Sequence, residues 1–243
     1  ARLSDSMEEA MKNLGLIGLL SLILACGGAT DQPIPEPAGP TPLVAGPGTV
    51  PAPDGVSIAY TVSGEGSPAL VFIHGWMCDQ SFWSEQFGEF SQSNTIVTID
   101  IAGHGLSGTN REGWPLLAFG GDVRAVVEHL DLTDIVLIGH SMGGPVVLEA
   151  ARLLPNRTLG VIAVDSLQDA DAKYDPDQIA GIFEAYEKDF AGTCLQFTSS
   201  MFTEGADPEL VERVTVQTLG MGLREPLAQL EVEHLVAKLL DPA

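Results

Sequence analysis

The sequence predicts an α/β fold: a mostly parallel sheet with helices on both faces, followed by a helical cap. Three observations predict it. Continuous apolar runs recur at 69–73, 95–100, 135–139 and 159–164, each too short for a helix and rich in β-branched residues. Between them apolar residues fall at helical spacing, as Val123, Val126, Val127 and Leu130 do. The run Ile135-Val136-Leu137-Ile138 enters a Gly-x-Ser-x-Gly turn, Gly139-His140-Ser141-Met142-Gly143, from which a helical pattern departs at once. Strands that are apolar throughout are buried on both faces, and crossover helices are what cover them.

The chain has 243 residues, 45% hydrophobic and 18% charged, enough for one sizeable domain. Its 33 acidic against 11 basic residues leave a formal charge of −22, which disfavours nucleic acid as a partner. Three cysteines are too few for a disulfide scaffold. No Cys/His grouping has metal-ligand spacing and no glycine-rich phosphate loop occurs, so neither metal nor cofactor is expected.

Residues 1–26 read as an address. Met11-Lys12-Asn13 precedes the apolar run from Leu14 to Ala25, and Cys26-Gly27-Gly28 follows. A basic start, a short apolar stretch and a small residue before cysteine form a secretory signal, too short to span a bilayer comfortably. The segment resembles the lipobox of bacterial lipoproteins, which implies diacylation at Cys26, a membrane partner through that lipid and a place at the bacterial cell envelope. Met11 is then the expected natural start. Residues 27–53 carry eight prolines, from Pro33 to Pro53, and are expected to be an extended tether without helix or sheet.

The folded core is expected over 54–169. Val56–Val62 alternates like a half-buried strand, and Ala69–Ile73 reads as a buried one. Phe82, Trp83, Phe87 and Phe90 give a helical spacing, and Thr95–Asp100 the next strand. A helix through Val123–Leu130 leads to the strand at 135–139. The helix after Ser141 turns Val146, Val147, Ala150 and Leu154 inward, and Leu159–Val164 is expected to be another buried strand. Strands then stop, and 170–243 is expected to be a helical cap. Asp175-Pro176 and Asp207-Pro208 each read as an N-cap followed by proline at the first helical position. Ile179, Ile182, Phe183, Tyr186 and Phe190 trace one helix face, and a last helix runs from about Pro226 to Leu240. Phe183, Tyr186, Phe197, Met201 and Phe202 are expected mostly to pack the cap's core.

The strand–turn–helix corner is the chemically informative feature. It holds a serine in a strained conformation and thrusts its hydroxyl above the sheet, and Gly139 and Gly143 flank it because strand and helix approach too closely for side chains. His74-Gly75-Trp76 follows the strand at 69–73, and Asp100-Ile101-Ala102-Gly103-His104-Gly105-Leu106-Ser107 follows the next. In that order and spacing the three motifs resemble the α/β-hydrolase superfamily, within it the esterase-like members with a helical cap.

That resemblance implies a serine hydrolase of carboxylic esters or related small acyl substrates. Ser141 would be the nucleophile, and the main-chain N–H groups of Trp76 and Met142 the oxyanion donors. His140 is expected to point away from substrate, and His74 and His104 to be hydrogen-bonded loop residues. His129, opposite its helix's apolar stripe, is expected to be solvated. In this fold the triad runs serine, acid, histidine. After Ser141 the one histidine is His234, in a stretch that reads as an exposed helix, and Asp165 at a strand end is a weak candidate for the acid. The family continues past its cap with two more strands carrying acid and base. The sequence is therefore expected to be a fragment lacking those last core strands, short by roughly 60 to 70 residues on usual domain size, and inefficient by itself. The competing expectation is a catalytically silent binding protein using the same pocket. Cys78 and Cys194 could pair in an oxidising envelope, but free buried thiols are the plainer reading.

Overall fold

Strand formation begins earlier than composition suggests. In the computed structural model of the chain, which describes residues 43, 45–167 and 175–222, β1 spans Gly46–Pro51 inside the proline-rich stretch. It pairs antiparallel with β2 (Ser57–Ser63), Pro47 opposite Thr61 and Pro51 opposite Ser57. The expected tether therefore ends before Gly46, and the core starts there rather than at Asp54. The two prolines share a parity on an edge strand, so their missing N–H groups fall on the outer side, where no ladder bond is needed. Gly48 lets the Tyr60 ring lie across the strand, since a Cβ there would stand 2.4 Å from its phenol carbon. The expectations for 1–42, for the helix at 226–240 and for His234 lie outside the described residues.

The sheet is six-stranded and mostly parallel, in the order β1-β2-β4-β3-β5-β6. Its remaining strands are β3 (Ala69–Ile73), β4 (Ile96–Asp100), β5 (Ile135–His140) and β6 (Thr158–Val164). β4, β3, β5 and β6 run parallel, and β2 joins β4 antiparallel. Ile73 is level with both Ile99 and Gly139, so the loops leaving three central strands emerge at one edge. Ligands bind at that carboxyl edge in open α/β sheets.

Each face of the sheet buries its own set. On one, Val71, Ile73, Val97, Ile99 and Leu137 meet α2 (Leu116–His129) and α3 (Gly143–Leu153). Phe119, Val123, Val126 and Val127 supply one helix stripe, and Val146, Val147 and Ala150 the other, as their spacing predicts. On the opposite face Leu70, Phe72, Ile96 and Ile138 pack under Trp83 and Phe87, from a short 3₁₀ turn (Gln80–Trp83) and α1 (Ser84–Phe90). Phe119 is fully buried, and truncating such a side chain to alanine costs about 3–5 kcal/mol.

β6 departs from expectation. Its apolar run predicts burial, yet Leu159 is 63% exposed, Ile162 49% and Val164 39%. Among the described residues β5 is its one strand neighbour and α3 packs against it, so one edge and much of its surface remain uncovered. An apolar run reports a propensity for burial, and the neighbour must still be there to realise it.

The cap holds α4 (Pro176–Lys188), α5 (Phe190–Ser200) and α6 (Pro208–Gly222). Asp175 accepts from the Asp177 N–H with Pro176 at the first helical position, and Asp207 accepts from the Glu209 N–H, as the sequence predicts. The apolar face expected to run on to Phe190 is broken at Asp189. Its φ is −149° and its carboxylate accepts from the Gly192 N–H, so it ends one helix and caps the next. Of the expected cap seam Tyr186 alone is fully buried, Phe183 and Phe202 are half-buried, and Phe197 and Met201 are exposed.

Candidate active site

Ser141 stands at the carboxyl end of β5 with φ +51°, a left-handed conformation that a side chain disfavours. The residue is exposed. Its N–H donates to the Val164 carbonyl (3.0 Å), and its carbonyl accepts from the Gly144 N–H (2.9 Å) and the Ser166 hydroxyl (2.7 Å). Gly139 and Gly143 are sterically required. A Cβ on Gly139 would sit 2.1 Å from the Gly143 carbonyl oxygen, and one on Gly143 2.6 Å from that of Ile73. Backbone thus lies on backbone, locking the start of α3 against β5 and β3.

The loop after β3 lies beside this corner. A Cβ on Gly75 would be 3.2 Å from the Ser141 Cβ and 3.1 Å from the His140 Nδ1. Neither the Trp76 nor the Met142 main-chain N–H has an acceptor among the described residues. The loop that carries Gly75 and Trp76 thus lies against the Ser141 corner, and both sequence-predicted donor N–H groups are uncommitted among the described residues. Met142 stands at the head of α3 and Trp76 in the turn after β3, and unpaired main-chain N–H groups of this kind are suited to a developing negative charge.

The histidines fall much as expected. The His140 ring is half-buried and meets Trp83 edge-on at 6.5 Å, and burial holds its pKa below the usual range. His74 and His104 are buried and tilted against each other at 4.8 Å. The His74 Nδ1–H donates to the Gly75 carbonyl (2.8 Å), and its Nε2 accepts from the Ile101 N–H (3.3 Å). The His104 Nδ1–H donates to the Ala102 carbonyl (3.2 Å). Burial lowers both, His104 to about 3, so each is a neutral structural ring. Exposed His129 sits 6.0 Å from the Tyr60 ring. Among the described residues no histidine ring is hydrogen-bonded to the Ser141 hydroxyl. Asp165 ends β6 exposed, with φ +45°.

Two polar networks support the site from below. Asp100 accepts from the Gln80 N–H (2.7 Å), the Gln80 Nε2 (2.9 Å) and the Leu106 N–H (2.9 Å), tying the loops after β3 and β4 together. Gly105, at φ +50°, leaves room for that carboxylate, which a Cβ would meet at 2.2 Å. Deeper down, Arg111 forks onto Asp122 and also reaches Asp54 (2.6 Å), while Asp122 accepts from the Ala102 N–H (3.1 Å). The motif around Asp100 pointed to the first support. The second joins residues far apart in sequence and had no local signal.

Over the cap–core seam, Trp76 meets Tyr186 edge-on at 5.4 Å and Phe197 at 6.3 Å. Met77, Tyr186 and Cys194 form a buried cluster with Phe190 and Leu219 at its rim. Cys78 and Cys194 are free thiols, and burial pushes them up to about 12 and about 11. Among the described residues no group of three or more His, Cys, Asp or Glu is arranged to hold a metal, and no helix is long and apolar enough to cross a membrane.

A parallel sheet whose central strand ends in a left-handed serine, capped by helices after its sixth strand, defines a class of α/β domains built around one nucleophile corner. Residues 70–240 match the model of the alpha/beta hydrolase family, and the chain belongs to it. A non-heme chloroperoxidase of Streptomyces lividans is 34% identical over 157 residues, 62% of this chain and 56% of the relative. A dihydrolipoyllysine-residue acetyltransferase component of an acetoin cleaving system from Cupriavidus necator is 31% identical over 49% of this chain and 32% of its own length. The chain thus spans about a third to about half of these curated relatives. An esterase of Exiguobacterium antarcticum shares the fold, with TM-score 0.66 and 19% identity over 79% of this chain and 73% of that one.

Proposed function

We propose that this chain carries the nucleophile half of a serine hydrolase acting on a carboxylic ester or related acyl substrate. One observation carries the reading: an exposed serine at φ +51° at a corner where two main-chain N–H groups lack acceptors among the described residues. The Ser141 hydroxyl attacks the carbonyl carbon, and the negative charge that develops on oxygen is held by the Trp76 and Met142 N–H groups. Collapse of the tetrahedral species expels the alcohol and leaves an acyl-enzyme on Ser141, which water hydrolyses. Losing one such donor typically costs about 3 kcal/mol in the transition state. Both are main-chain groups, so their positions matter, and the side chains serve packing: Trp76 lies on the Met77–Tyr186–Cys194 cluster and Met142 against the main core.

The proton-transfer partners are assigned to further chain that adds strands at the open edge of β6. The exposed apolar side chains of Leu159, Ile162 and Val164 support that assignment, because a strand apolar on both faces calls for cover. On this reading residues 43–222 hold the nucleophile and oxyanion donors, and the acid and base arrive with the added strands. The small-molecule acyl substrate enters beneath the cap. The chain is further assigned to the bacterial cell envelope as a lipoprotein anchored at Cys26. The apolar segment before a cysteine and the proline-rich spacer after it support this.

The test is a fluorophosphonate probe on the full-length gene product. It should label Ser141 in the wild type and nothing in Ser141→Ala. Labelling that survives the substitution overturns the assignment, and a wild type that never reacts favours a silent binding protein. Radiolabelled palmitate should enter the wild type and not Cys26→Ala, and equal incorporation would remove the anchor.

A further inference from the structure

We infer that Ser166 is a positioning residue of the oxyanion site, acting through the peptide that joins Ser141 to Met142; the inference rests on the nucleophile reading above. That peptide carries the Ser141 carbonyl at one end and the Met142 N–H at the other. In a trans peptide the two point in opposite directions. Anchoring the carbonyl therefore aims the N–H. The Ser141 carbonyl oxygen accepts from two donors, the Gly144 N–H at 2.9 Å and the Ser166 Oγ–H at 2.7 Å. The first belongs to the turn that opens α3. The second comes from the segment just after β6 and is, among the described residues, the one side chain on that carbonyl.

Two features of the backbone serve this bond. Asp165 and Leu167, the residues on either side of Ser166, both have left-handed φ, +45° and +60°. The chain leaving β6 is thus bent twice within three residues, which turns the Ser166 hydroxyl back over the neighbouring strand's corner. Gly144 leaves the space the hydroxyl fills, since a Cβ there would stand 2.1 Å from the Ser166 Oγ. Register supplies the rest. β5 and β6 pair His140 with Val164, and the Ser141 N–H donates to the Val164 carbonyl. The end of β6 consequently holds both polar main-chain groups of the strained serine.

The hydroxyl also polarises the peptide it holds. A donor on a peptide carbonyl makes the N–H of the same unit a better donor, by about 10–30% of its strength per bond. The charge that benefits appears only as the oxyanion forms, so the contribution belongs to the transition state and not to substrate binding. Ser166 touches no reacting atom.

Full-length wild type, Ser166→Ala and Ser166→Thr are compared with p-nitrophenyl acetate, with thermal unfolding recorded for each. Fluorophosphonate labelling of the wild type and of Ser141→Ala is run alongside. Ser166→Ala should lower kcat roughly three- to tenfold with KM within twofold, less than the hundredfold or more that follows removal of a whole donor. Ser166→Thr, which keeps the hydroxyl, should return kcat to within twofold of wild type. A kcat unchanged in Ser166→Ala overturns the inference, as does a defect seen in KM alone or a threonine variant as slow as the alanine. If Ser141 fails to label in the wild type, the nucleophile reading falls and this one with it. Labelling at Ser141 with an indifferent Ser166→Ala sinks only this inference.

Discussion

Acid should destabilise this protein through two buried imidazoles. His74 and His104 are each 1% exposed, and their carbonyl partners fix the proton on Nδ1 of both rings. Charging His74 would put a second N–H against the Ile101 N–H that its Nε2 now accepts. Charging His104 would put a buried cation beside another imidazole. Burial, then the neighbouring His74, pull the His104 pKa from 6.5 to about 3, and burial lowers His74 in the same direction. The sign follows from proton counting. Between pH 3 and 6.5 the unfolded chain binds more protons than the folded one, so stability rises with pH across that window. The contribution is complete above 6.5 and is lost as pH falls toward 3.

The slope is about 1.4 kcal/mol per pH unit for one such group. His104 alone therefore removes about 2 kcal/mol between pH 7 and pH 5, and His74 adds to it. Urea unfolding followed by tryptophan fluorescence at half-unit steps from pH 5 to 7.5 measures this directly. His104→Asn keeps an N–H for the Ala102 carbonyl and cannot titrate. It should be less stable at pH 7 through lost packing, yet fall less steeply on acidification. Parallel pH profiles for wild type and variant would refute the assignment of the slope to this ring.

Two further outcomes follow from contacts in the core. Gly139→Ala drives a methyl to 2.1 Å from the Gly143 carbonyl oxygen and 2.4 Å from its carbon, backbone that cannot rotate away, so a loss of about 3 kcal/mol is expected by denaturation together with loss of Ser141 labelling. Arg111→Met strands a fully buried Asp122 carboxylate and should cost about 3–5 kcal/mol, while adding Asp122→Leu should recover much of that in the same urea experiment.

The elements easiest to read were those whose causes are local. The run at 69–73 is β3 to the residue, and Asp175 and Asp207 cap their helices through their own carboxylates. The nucleophile corner was legible because Gly139 is imposed by its contact with Gly143 four residues on, although Gly143 is imposed by the distant backbone of Ile73 and His74. What escaped was set by partners. β1 was hidden because proline is excluded from a central strand but not from an outer edge, and only the sheet order says which strand is outermost. The exposure of β6 was hidden because Leu159 and Ile162 look the same in sequence whether or not a neighbour covers them. The cap at Asp189 has no local signal because the apolar period continues across it. Ser166 reads as an ordinary residue after a strand until the pairing of β5 with β6 puts it over Ser141.

The strain at Ser141 explains why the corner needs so many anchors. A left-handed non-glycine residue costs about 1–2 kcal/mol. Three hydrogen bonds hold its main chain, from the Gly144 N–H and the Ser166 hydroxyl to its carbonyl and from its own N–H to Val164. At about 0.5–1.5 kcal/mol net each, together they are enough to offset the strain. Glycine at position 141 would relieve the strain but remove the hydroxyl, so the conformation must be enforced from outside the residue. The close approach at Gly139 and Gly143 supplies most of that enforcement, since backbone contacts at 2.1–2.6 Å from a would-be Cβ leave the chain no other path. Losing one hydrogen bond should then loosen the corner without unfolding it. That is why the effect of Ser166 belongs in kcat, and why the effect of Gly139 belongs in stability as well.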